Sequence, residues 1–78
     1  MNIEILGTGC PKCKKLAELT AEAVKELGMS AEITKVEKIA DIMKYGVMLT
    51  PALVIDGKVM TAGRVPSKKE IEQWLAGQ

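Results

Sequence analysis

Residues 2–13, NIEILGTGCPKC, join the end of an apolar strand, a turn with two glycines and the start of a helix in one short stretch. Ile3 and Ile5 are β-branched and the run ends at Gly7, which predicts a first strand over 2–6. Pro11 suits the first position of a helix. From there to Leu27 the apolar residues Leu16, Leu19, Ala23, Val24 and Leu27 keep the three-and-four spacing of one helix face, and Gly28 is placed to cap it. A strand that passes so directly into a long helix strongly restricts what can follow.

AEITKV, residues 31–36, reads as a second strand. KIADIMKY then sets Ile39, Ile42 and Met43 on one side of a short helix that Gly46 stops. Strand, helix, strand, helix implies a parallel pairing. ALVI and KVMT flank Asp56 and Gly57, and an Asp-Gly pair between β-rich runs signals a two-residue hairpin. After Pro66, Ser67 and Glu70 form a capping box, and Ile71, Trp74 and Leu75 supply the apolar stripe of a last helix ending near Gly77. The order is β-α-β-α-β-β-α, an α/β chain. With 78 residues and no dividing linker, residues 1–78 are expected to form one domain around one core. That core is aliphatic, because the chain has no Phe, one Trp and one Tyr against five Met.

Composition removes several functions. The net charge of +1 offers no field to attract nucleic acid or an anionic membrane. No apolar run approaches the ~20 residues of a membrane span, and MNIEIL has no basic leader, so a cytoplasmic protein is expected. The chain has no histidine, which excludes Ser-His-Asp and Cys-His chemistry and most catalytic zinc sites. Sulfur, carboxylate or lysine must do the work.

Cys10 and Cys13 are the outstanding candidates. Cys10 lies at or beside the helix N-cap, where unpaired amides and the positive end of the dipole favour a thiolate. Lys12, Lys14 and Lys15 add positive charge, with Lys12, between the cysteines, best placed to act on sulfur; Lys14 and Lys15 also suit surface pairing with Glu18. Cys13, one turn on, is close enough for a disulfide and better shielded, as suits a resolving thiol. Two other readings stay open. As a staple the pair closes too small a loop to stabilise much. As a metal site it lacks two ligands for zinc, although two thiolates could carry Cu(I) or another soft metal or metalloid.

Taken together, GTGCPKC at the end of the first strand, Thr50-Pro51, VIDGKV as the hairpin and AGRVPSKKEI before the last helix resemble the small, single-domain thioredoxin-like proteins of glutaredoxin size, sometimes called redox-active disulfide proteins. The resemblance covers essentially the whole chain. It differs from heavy-metal-associated domains, whose order is β-α-β-β-α-β. It implies a four-stranded mixed sheet with helices on both faces, Cys10 as nucleophile, Cys13 as resolving thiol and Pro51 in the cis form. A cis proline there would turn the Thr50 backbone toward the disulfide, free to pair with an extended substrate. Glu4 stands six residues before Cys10, where thioredoxins carry a buried Asp, which implies a general base toward Cys13.

The motif itself is CPKC, neither CGPC nor CPYC, and Ala62-Gly63-Arg64-Val65 stands where glutaredoxins hold glutathione. Val47, Met48 and Leu49 precede the proline; Val47 and Leu49 are expected in the core, and Met48 is a candidate for the rim that meets substrate. The expected function is a thiol-disulfide oxidoreductase acting on protein or small-molecule disulfides without a bound cofactor. Its partners would be a thioredoxin-reductase-like or other thiol reductant and disulfide substrates. The chain is expected to be a monomer.

Overall fold

The computed structural model describes residues 1–77; Gln78, the last residue of the expected domain, lies outside the described residues. Seven elements follow in the expected order: β1 (Asn2–Leu6), α1 (Pro11–Glu26), β2 (Glu32–Val36), α2 (Ile39–Met43), β3 (Ala52–Ile55), β4 (Lys58–Ala62) and α3 (Lys68–Ala76). The strands form one mixed sheet in the order β2-β1-β3-β4. β1 runs parallel to β2 and antiparallel to β3, and β3 pairs antiparallel with β4. This is the thioredoxin-like α/β arrangement.

Strand alternation divides the sheet into two faces. Ile3 and Ile5 of β1, with Leu53 and Ile55 of β3, meet Leu16, Ala23 and Val24 of α1 and Ile71 and Leu75 of α3. Leu6, Ala52 and Val54 instead meet Ile42 and Val47 at α2. β3 is buried along its whole length, as expected for a strand covered on both sides.

Local chemistry sets the ends of the elements. Leu27 caps α1, and Gly28 beyond it takes φ 64°, the left-handed geometry that ends helices. Asp56 and Gly57 both have positive φ, 47° and 83°, which makes the tight hairpin turn the sequence predicts. Both hydrogen bonds of the capping box form: the Glu70 amide donates to Ser67 Oγ at 3.2 Å, and the Ser67 amide donates to Glu70 Oε1 at 3.2 Å.

Two expectations about apolar residues need correction. Leu49, expected in the core, is 65% exposed, while Val47 is buried as expected. Ile39 and Met43, set beside Ile42 by the helical period, are also largely exposed. α2 is only five residues long, so one inward side chain, Ile42, satisfies it and nothing covers its outer flank. One buried polar residue carries no separate sequence signal. Thr20 is fully buried in α1, and its hydroxyl is satisfied by donating to the Leu16 carbonyl at 2.8 Å.

Candidate active site

The ladder of β1 and β2 runs one residue past both strands, where the Gly7 amide donates to the Val36 carbonyl at 3.0 Å. The chain turns through Gly9, at φ 89°, and reaches Cys10 in extended geometry at the N-cap of α1. Cys10 Sγ accepts from the Cys13 amide at 3.3 Å, the place a serine or aspartate oxygen usually takes. No acidic residue lies in the first turn of α1 to oppose negative charge there. The amide end of the helix therefore faces the Cys10 sulfur.

Cys10 and Cys13 are joined as a disulfide, with Cα atoms 5.1 Å apart, inside the usual range. Their access differs: Cys10 is half-buried and Cys13 only 5% exposed. Gly7 is part of the reason. A Cβ built there would collide with Cys13 Sγ and lie 4.0 Å from the Pro51 Cα, so a residue without a side chain lets β1, α1 and the proline loop converge.

The Thr50–Pro51 peptide bond is cis. Pro51 is buried and Thr50 exposed. The Gly63 amide donates to the Pro51 carbonyl at 2.9 Å, tying the loop to the end of β4. Beside the loop lies an open, mainly apolar groove of about 600 Å³, walled by Thr8, Thr50, Met48, Val47, Met43 and Ile39. Met48 is 96% exposed at its edge. Lys12 is exposed on the first turn of α1.

Glu4 is in a different place. Alternation along β1 puts it on the α2 face with Leu6, whereas Ile3 and Ile5 face α1. Its carboxylate accepts a hydrogen bond from the Tyr45 hydroxyl. That bond, with some desolvation, pushes the Tyr45 hydroxyl above its ordinary pKa of 10. The structure brings Cys10, Cys13, Thr50, Pro51 and Met48 to one end of the sheet and pairs Glu4 with Tyr45.

Glu37 is a neighbour of the cysteines that the sequence did not single out. Cys13 borders a second cavity, of about 250 Å³, and Glu37 and Lys35 stand on its wall. The available signal was positional: β2 is parallel to β1, so the residue just past its C-terminal end arrives beside the loop just past the end of β1.

Comparison with known proteins agrees with this geometry. The family model of the thioredoxin domain matches residues 1–76. The chain is 43% identical over 76 residues to a thioredoxin of Methanothermobacter thermautotrophicus, covering 97% of this chain and 99% of the relative. It is 42% identical over 73 residues to a thioredoxin of Methanocaldococcus jannaschii, covering 94% and 84% respectively. A probable thioredoxin of Archaeoglobus fulgidus is 33% identical over 69 residues, covering 85% and 75%. No observation favours the metal-carrier alternative; among the described residues, no three His, Cys, Asp or Glu side chains gather in a way that could hold an ion. The chain belongs to the thioredoxin family, and its Cys10–Cys13 pair is the redox couple of a CxxC thiol-disulfide oxidoreductase.

Proposed function

We propose that Cys10 is the attacking thiolate and Cys13 the resolving thiol of a general reductant of protein disulfides. The unequal access of the two sulfurs carries this reading. The reachable one sits on the helix N-cap and the buried one behind it. In the dithiol form the Cys10 thiolate attacks a target disulfide, displaces one target sulfur as thiolate and forms a mixed disulfide. Cys13, deprotonated, then attacks the Cys10 sulfur, releases the second target thiolate and closes the Cys10–Cys13 bond. The target gains two electrons and the protein loses two.

Thr50 and Met48 hold the target. The exposed Thr50 backbone, next to the disulfide, pairs with an extended segment of substrate, and the Met48 side chain covers the apolar residues flanking the target cysteine. Lys12 favours the thiolate by its charge. A thioredoxin-reductase-like enzyme or another thiol recharges the couple, and a cytoplasm is the compartment with thiols available to do so. The protein works as a monomer, since a target must reach the half-buried Cys10 directly.

Trapping tests the division of labour. A Cys13→Ser variant should accumulate covalent mixed disulfides through Cys10, recovered on non-reducing gels and released by dithiothreitol. If Cys10→Ser traps partners and Cys13→Ser does not, the roles are reversed.

A further inference from the structure

The resolving step needs Cys13 to lose a proton inside the protein, because this thiol is only 5% exposed. Two carboxylates come into question, Glu4 and Glu37, and strand geometry separates them. β1 pairs with β2 in the parallel register Ile5↔Lys35 and Leu6↔Val36. Aligned residues of parallel strands share a face, so Lys35 follows Ile5 toward α1, and Glu37, two residues on, continues in that direction. Glu4, aligned with Thr34, lies on the other face with its carboxylate held by Tyr45.

Parallel strands also end at the same edge of a sheet. β1 delivers the cysteine loop to that edge and β2 delivers Glu37. The Glu37 carboxylate leans over the loop: its Oε2 lies 3.8 Å from the position a Cβ on Gly9 would take. Beneath it the cavity bordered by Cys13 has room, at about 250 Å³, for several water molecules. Its other charged residues are Lys14 from α1 and Lys35 from β2, and Glu37 is the one carboxylate among them. Neither Glu37 nor Lys35 takes part in an ion pair among the described residues.

We infer that Glu37, acting through water in this cavity, accepts the proton of Cys13 in the resolving step. This inference rests on the roles proposed for the two cysteines. In the mixed disulfide the Cys13 S–H proton passes to the Glu37 carboxylate, and the Cys13 thiolate attacks Cys10 Sγ. The bond from Cys10 to the target sulfur breaks as the Cys10–Cys13 bond forms. The departing target thiolate takes up a proton, and Glu37 returns to its charged form by giving its own to water or to that thiolate. Lys14 and Lys35 favour the transient thiolate by charge. The two sides of the same sheet edge thus differ in use: the apolar groove receives the target, and the polar cavity handles the proton.

The test uses the reduced protein and 5,5′-dithiobis(2-nitrobenzoate), which yields one thionitrobenzoate when Cys10 attacks and a second when Cys13 resolves. Both phases are followed by stopped-flow absorbance across pH. Glu37→Gln should slow the second phase by roughly tenfold or more and remove an inflection from its pH profile, with the first phase little changed. Glu37→Asp should keep that inflection, and Glu4→Gln should leave the second phase as in the wild type. A carboxylate that acts only as a nearby charge predicts the opposite sign, since its removal favours the Cys13 thiolate and speeds resolution. A second phase in Glu37→Gln that is unchanged or faster would overturn the assignment. A fast first phase surviving in Cys10→Ser would instead overturn the cysteine roles themselves.

Discussion

The two faces of the sheet are built from the same kinds of residues and treated very differently. On one, two helices of 16 and 9 residues cover Ile3, Ile5, Leu53 and Ile55. On the other, the five-residue α2 covers Leu6, Ala52 and Val54, and Glu4 with Tyr45 completes the face. Ile39, Met43 and Met48 there stay in solvent along the groove that Thr8 and Thr50 border. The difference teaches that one face supplies the stability and the other keeps apolar surface free. On the function proposed above, a surface that meets a disulfide target cannot also be used up in folding.

Substitution on the covered face should break the comparison most strongly. Leu16→Ala removes a fully buried side chain from that cluster and should cost about 2–5 kcal/mol, read as a lower urea midpoint. Met48→Ser on the open face should stay within about 0.5 kcal/mol of the wild type. The same change should lower kcat/KM for a protein disulfide about fivefold, because partial burial of a methionine contributes ~1 kcal/mol, while a small disulfide reacts as before. Equal stability losses at Leu16 and Met48 would erase the distinction between the faces.

Gly7, where the faces meet at the active-site end, should come next. Gly7→Ala places a methyl on Cys13 Sγ and should cost about 1–3 kcal/mol as α1 shifts away, with a change in the reduction potential of the couple. Unchanged stability and potential would mean the convergence of β1, α1 and Pro51 is looser than described. Smallest is an acid effect at α3. The hydrogen bond from Arg64, helped by the Ser67 amide, lowers the Glu70 carboxyl from its ordinary 4.5 to about 2. A lowered folded pKa contributes stability in full above 4.5 and loses it as pH falls toward 2. The stability difference between wild type and Glu70→Gln should therefore shrink across that window, and a constant difference would assign it to packing of the cap.

The order of elements was legible because each boundary carries its own chemistry: Pro11 and Gly28 around α1, Asp56-Gly57 at the hairpin, Ser67 and Glu70 before α3. The cysteine couple was legible for the same reason, since its place at a helix start is a local property. What the sequence did not reveal depends on partners far along the chain. Ile39 read as inward from its helical period and Leu49 as core from its place before Pro51, but α2 is only five residues long and both side chains stay exposed. Glu4 matched a spacing, yet which face of β1 it occupies depends on the alternation set by Ile3 and Ile5. Glu37 reads as an ordinary charge between Val36 and Lys38 until the parallel pairing brings it next to Gly9.

The position of β1 has a consequence for the order in which the molecule is made. Of the four strands of the sheet it is synthesised first, yet it lies in the interior, pairing Ile3 with Ile33 on one side and with Ile55 on the other. Neither neighbour exists when β1 leaves the ribosome, and the second, β3, arrives only after α1, β2 and α2 have been added. Closing such distant pairings is slow compared with forming local helix. The α1 segment can therefore begin to coil while the strand before it waits, and the cysteines between them have their final surroundings only once β3 has docked. Until β3 has left the ribosome the nascent chain carries two thiols that the fold does not yet control, and it depends on its surroundings to keep them reduced.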